Sequence, residues 1–383
     1  MRAARKGALA ALPSTGPMRR ASPALPLLAA ALLAACRAAP FTAVGPRPDA
    51  PPAWEAANPV RPLPEPPLGS PADFAAVPWV TPAKVRLGRW LFFDARLSAD
   101  GTVSCASCHE PEHAFSEPRP HSRGIRGQEG TRKAPPIVNA AFPVYPSYFW
   151  DGRAGSLQEQ AKGPMANPIE MGATHQGVVA TVAGLQGYRR YFAEAFGDPG
   201  VDIDRVAEAI AAYEATRLSG DSKVDRFDAG DEAALSPSER RGRDLFFGRA
   251  ACNQCHLGPG FTDGKFHNLG VGWRPPPPGA RPEDGFADQG RHAVTRDPKD
   301  MGAFKTPSLR DCSKHAPYMH DGSVATLREA VALYWRGGVQ NPWLSERMGE
   351  VGFRPFEIDD LVAFLEALDG RGYQDVAPRA FPR

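Results

Sequence analysis

The chain is short of several things, and each shortage excludes something. Its charges nearly cancel: 45 Lys and Arg stand against 43 Asp and Glu, a net of +2. Five of those basic residues (Arg2, Arg5, Lys6, Arg19, Arg20) and none of the acidic ones fall within residues 1–35, so the remainder carries 40 against 43, a balance of −3. No basic excess is left to bind nucleic acid. The apolar run "ALPLLAAALLAAC", ending at Cys36, is 13 residues long. That falls short of the roughly 20 that a spanning helix needs. Cysteines number six, and four of them sit in two Cys-x-x-Cys-His units. A disulfide framework would not repeat the histidine. Finally, 41 prolines and 38 glycines argue against a regular strand-rich protein and for long ordered loops around modest helices.

What is present divides along the chain. Basic residues followed by a short apolar run read as an export signal. "LAAC" (Leu33 to Cys36) resembles the lipobox of bacterial lipoproteins, in which the cysteine is acylated and becomes the mature N-terminus. An ordinary cleaved signal with a chance cysteine is the other reading. Residues 1–36 are thus expected to be a signal peptide, and the Pro-rich residues 37–75 a semi-rigid tether. The protein is expected on the periplasmic side, touching the membrane only through a lipid on Cys36. The remaining length suits two domains, 76–235 and 236–383, meeting near "LSPSERRG".

A duplication supports that division. "LGRWLFF" (Leu87 to Phe93) precedes "CASCH", and "RGRDLFF" (Arg241 to Phe247) precedes "CNQCH". Thiols two residues apart can add across the vinyl groups of a haem, and the histidine that follows can reach its iron. One such unit alone also admits a zinc half-site or a redox disulfide. Two units, each closed by histidine in an exported chain, favour two covalently bound haems c. Cys105, Cys108 and His109 would hold the first; Cys252, Cys255 and His256 would hold the second. Cys312 reads as a buried small apolar residue.

Between and after these units the sequence resembles the bacterial dihaem cytochrome c peroxidase superfamily, which includes the MauG-type enzymes. The resemblance rests on "FWDGR" (Phe149 to Arg153), "LQEQA" (Leu157 to Ala161), "NPIEM" (Asn167 to Met171) and "FKTPSLRDCSKHAPYMHDGSVATLREAVALY" (Phe304 to Tyr334), and it runs from about residue 80 to about 370. It implies a mainly α fold of two cytochrome c-like helical domains, each with one covalent c-type haem, joined by long loops. It also implies that the first haem reacts with hydrogen peroxide while the second stores or relays electrons.

Residue by residue, the resemblance makes Glu170 the distal acid/base, Gln160 the distal glutamine and Trp150 the indole between the haems. Read alone, Glu170 is a solvated loop carboxylate and Trp150 a core aromatic beside a turn. Ser156 and Glu159 form an S-x-x-E capping box, which places a helix start at 156 and puts Leu157 and Gln160 on one face. In "ATLREAVALYWRGG", Leu327, Val331 and Tyr334 share one helical stripe, and Gly337 and Gly338 end the helix.

Two departures set this chain apart from ordinary family peroxidases. Tyr334 stands where they have a methionine ligand to the second haem, as in the MauG type; a core tyrosine is the plain reading, and Met319 and Met348 are competing ligands. Ile125 stands where they have a histidine that blocks the first haem; His113 and His121 are the nearby alternatives. The resemblance further implies a calcium ion between the haems, but Lys133 replaces the asparagine that would ligate it. MauG passes electrons through a surface tryptophan two residues before its second unit. Here that position is Ala250, with Trp273 and Trp343 as substitutes.

The expected function is therefore peroxide-driven formation of a high-valent dihaem state that oxidises a tryptophan of a partner protein, as in MauG or the MbnH type. The alternative is a cytochrome c peroxidase fed by a small cytochrome or cupredoxin. A pure electron carrier would not need Glu170 and Gln160.

Overall fold

The computed structural model describes residues 52–142, 146–352 and 354–383. The leader with Cys36 and its lipobox lies outside them. Residues 51–383 form one compact unit built on two crossed helix pairs, one in each copy of the duplicated motif.

In the first pair, Pro82–Phe93 packs against Ile203–Ala215; in the second, Pro237–Phe247 packs against Pro355–Glu366. The leading helix of each pair starts the same way. Thr81 and Ser236 accept backbone N–H groups of the first turn, and a proline follows at the first helical position. A glycine then permits the crossing. A Cβ on Gly88 would lie 1.7 Å from the Ala209 carbonyl oxygen, and one on Gly242 would lie 1.9 Å from that of Asp360. These glycines hold the same place in "LGRWLFF" and "RGRDLFF", so the repeat encodes a close backbone approach as well as an apolar face.

Around the first pair, Leu87, Trp90, Phe92, Phe115 and Tyr213 form one apolar core; around the second, Phe246, Phe261, Leu361, Phe364 and Leu368 form another. The cores exchange their ends. Tyr373 and Phe381 pack into the first, and Val224 and Phe227 into the second. Buried Arg310 fixes the junction. Its guanidinium donates to both oxygens of buried Asp225 at 2.8 and 2.9 Å and to the Pro259 carbonyl at 2.6 Å. Loops supply most of the rest, and the described strands are two residues each, Phe266–His267 antiparallel to Phe304–Lys305.

The expected tether packs earlier than residue 76. Trp54 donates to the Tyr191 hydroxyl at 3.0 Å, Leu63 and Phe74 join an apolar cluster with Phe142 and Leu218, and the Gly69 carbonyl accepts from Arg310. Prolines did not keep this segment free, because its few large apolar side chains find sites on the folded surface. Among the described residues no helix is long and apolar enough to cross a membrane.

Gly88→Ala and Gly242→Ala each push a methyl into backbone that cannot swing aside, at a cost of about 3 kcal/mol. Each is expected to lower the thermal midpoint clearly. Gly184→Ala, where a Cβ meets nothing within 4 Å, is the control and leaves it unchanged or slightly raised.

Candidate functional site

Both pentapeptides fold alike. Cys105–Ser107 and Cys252–Gln254 each form one tight turn, and the histidine N–H closes back on the first cysteine's carbonyl, at 2.9 Å in each copy. The histidine Nδ1 then donates to a carbonyl a few residues on: His109 to Phe115 and His256 to Phe261, both at 3.0 Å. Both acceptor residues have positive φ, 57° and 50°, which turns the chain back over the ring. With the proton fixed on Nδ1, Nε2 is left unprotonated and able to bind iron. Burial lowers both imidazoles, His256 to about 4, so neither is protonated at neutral pH. Burial also pushes the Cys108 and Cys252 thiols up to about 12 and Cys105 further. A zinc site would need four thiolate or imidazole donors brought together. The described donors do include one cluster, Cys255, Asp263 and His267 within 4.8 Å of one another. A metal there would leave Cys252 and His256 unused and the duplication unexplained.

Each histidine lines a cavity. The larger, about 230 Å³, holds His256, Cys252, Cys255 and Tyr334; the smaller, about 50 Å³, holds His109, Leu157 and Gln160. Pro136, Trp150, Lys305 and Pro307 line both, so they form a shared wall.

Trp150 is held on every side. Its Nε1 donates to the Lys133 carbonyl and its own carbonyl accepts from Lys305 N–H, each at 2.8 Å. Phe149 before it (φ 66°) and Gly152 after it (φ 70°) make the turn, and Asp151 bridges Arg132 and Arg153 at 2.7 and 2.9 Å.

Gln160 reaches the smaller cavity from the Leu157–Ala166 helix, capped by Ser156, which accepts from Glu159 N–H at 3.1 Å. Glu159 reaches back to Gly155 N–H at 2.8 Å, one residue short of the reciprocal bond of a capping box. Glu170 is half-buried on the turn that follows. Its Oε1 accepts from Asn167 at 2.7 Å, and burial raises its pKa, opposed by Arg153 and Asn167. It does not line the cavity with Gln160, but lies on the side of Cys108, whose thiol it helps to raise. Ile125, 2% exposed, is locked to that turn: its N–H donates to the Glu170 carbonyl at 2.8 Å. His113 and His121 are partly buried and line neither cavity.

Tyr334 sits on the Leu327–Trp335 helix, on the stripe with Leu327 and Val331, and burial raises its phenol. Met319 and Met348 line the same cavity, so the structure gathers all three candidate ligands around His256. Cys312 is buried. Ala250 is buried too, while Trp273, Trp343 and Phe286 form one aromatic cluster with ring centroids 5.0–6.3 Å apart. Sequence reasoning missed Lys305, whose amine is pushed down to about 7 by burial, and His320, whose ring stacks on Phe304 at 3.5 Å. Both fall in the stretch that carries the resemblance, but neither bears a motif of its own.

A family model described as di-haem cytochrome c peroxidase matches residues 82–233. Over 295 residues the chain is 38% identical to the methylamine utilization protein MauG of Methylorubrum extorquens, spanning 76% of this chain and 79% of that one. It is also 38% identical over 288 residues to cytochrome c551 peroxidase of Nitrosomonas europaea, spanning 74% and 79%. Its fold is similar to a MauG-like protein associated with microbial copper homeostasis, with a TM-score of 0.69, 35% identity and coverage of 78% and 93%. The two matching histidine turns, the wall between their cavities and these relatives agree: the chain belongs to the bacterial dihaem cytochrome c peroxidase and MauG family, a group of two-haem peroxidase-type oxidoreductases, on its MauG-type side.

Proposed function

We propose that this protein uses hydrogen peroxide to oxidise a tryptophan on a partner protein, drawing the electrons through the shared wall at Trp150. The observation that carries the reading is the placement of Tyr334 in the cavity of His256; Ile125, where the resemblance has a blocking histidine, is buried and carries no ligand atom. Bound haem supplies the redox-active iron. His109 and His256 would hold the irons through Nε2, with Tyr334 as the second ligand on the His256 side, and the four cysteines would fix the porphyrins.

The protein's own groups handle protons and order. Reducing peroxide to two waters takes two electrons and two protons. Glu170, which lies on the side of Cys108 and not in the cavity lined by Gln160, would accept the proton of one peroxide oxygen and return it to the other, and the Gln160 amide would orient the molecule from the cavity side. Trp150 lies between the cavities, where an indole can pass one electron at a time. Relatives named MauG, in Methylorubrum extorquens and Methylophilus methylotrophus, support the reading, as does the MauG-like structural neighbour. Export to the periplasmic side, with a lipid on Cys36, accords with a partner outside the cytoplasm.

A second reading has its own support. Met319 and Met348 also line the His256 cavity, and a methionine ligand would suit a cytochrome c peroxidase supplied by a small redox protein.

Diferric protein is expected to respond spectrally to peroxide without prior reduction. A need for half-reduction would favour the second reading. Tyr334→Phe is expected to abolish the long-lived response, and an unchanged spectrum removes tyrosine from the ligand set. Glu170→Gln is expected to slow the reaction with peroxide by about 10²–10⁴-fold. Only the carboxylate can take the proton, so the wild-type rate rises with pH through a pKa that burial has lifted above the ordinary carboxylate range. Stopped-flow rates across that range should show this limb in wild type and a flat profile in the variant.

A further inference from the structure

The wall between the cavities is backed by a buried cation. Lys133 is 4% exposed. Its ammonium donates to the Glu117 carbonyl and, at 3.4 Å, to the Arg119 carbonyl. Carbonyl oxygens converging on a compact charge are what a hard metal ion would receive. The same residue ties down two other segments through its main chain, and its neighbour adds a bond to the first. Its N–H donates to the His320 carbonyl and its own carbonyl accepts from Trp150 Nε1, both at 2.8 Å, while Ala134 N–H donates to Glu117 Oε1 at 2.8 Å.

Calcium, which the family resemblance implies near here, does not fit these residues. The resemblance takes its ligands from an asparagine at the Lys133 position and from backbone carbonyls near residues 316–320; an ammonium offers no lone pair in place of the asparagine oxygen, the His320 carbonyl already accepts from the Lys133 N–H, and a divalent ion beside the ammonium would meet direct repulsion. The nearby carboxylate, Glu117, is fully buried and committed to Ala134 N–H, the Ser122 hydroxyl and Arg119. A further close group, His315, is buried and pushed down to about 3, first by burial and then by Lys133. It adds no charge. Burial lowers Lys133 only to about 8, with Glu117 and Glu110 supporting the charged form and Arg119 opposing it, so at neutral pH its charge is kept.

We propose that the Lys133 ammonium is the structural cation of the interhaem wall, in place of calcium, and that Trp150 is positioned in this protein without any divalent metal.

The test uses the haem-loaded protein and calcium chloride as the probe. Wild type should contain no calcium by elemental analysis, take up none on titration, and keep its melting midpoint and peroxide response in EGTA. Lys133→Asn should gain a calcium-dependent rise in midpoint and a calcium-restored peroxide response, both reversed by EGTA. Lys133→Met should melt lower with or without calcium. One bound calcium per wild-type chain, or an EGTA-induced loss that calcium restores, overturns the proposal; so does a Lys133→Asn protein indifferent to calcium. If Lys133→Met does not fold, the wild-type measurements still decide the matter.

Discussion

Everything at the two cavities depends on one hydrogen bond made twice, from a histidine Nδ1 to a carbonyl at a left-handed residue downstream. It selects the tautomer, fixes the ring and keeps an uncharged nitrogen available in a buried place. The bond in turn depends on the cores behind it. Phe115, whose carbonyl receives His109, packs on Phe92 and Tyr213; Phe261, which receives His256, packs on Phe246. In each copy the "LFF" helix supplies that support, so the sequence before the cysteines matters as much as the cysteines themselves.

The halves share a plan but have diverged at the wall. Its main-chain contacts come from both repeats: Lys133 and Trp150 from the first, Lys305 and His320 from the second. Charge is buried behind it, at Lys133 and Glu117, as it is at Arg310–Asp225. Such groups are costly to remove singly, because each leaves a partner unsatisfied. The arrangement holds Trp150 fixed at the point where the proposed function would pass its electrons.

Much of this was legible in the sequence, and the reason lies in spacing. The pentapeptides, the helix start at Ser156 and the stripe Leu327, Val331, Tyr334 are local patterns and fold locally, although Glu159 closes on Gly155 and not on Ser156. Gln160 follows from its helix. What could not be read depends on distant partners. Lys133 looked like a mere departure from an asparagine, since nothing nearby in sequence announces the carbonyls of Glu117 and Arg119. Lys305 becomes a wall residue only through a two-residue strand pairing and its bond to Trp150. The Pro-rich segment was read from composition, which does not register that Trp54 and Phe74 have sites waiting for them. Gln160 lines the cavity of His109, whereas the turn after the 157–166 helix sets the Glu170 carboxylate toward Cys108.

The exchange of chain ends has a bearing on how the molecule is held together. Tyr373 packs on Phe115 at 6.5 Å, Asp375 pairs with Arg89, and the Pro382 carbonyl accepts from Arg96. These residues complete the first core. Without them the shell behind His109 would lack a wall. Each half is thus closed by chain that belongs to the other, so the setting of His109 is a property of the whole fold and not of the first repeat alone.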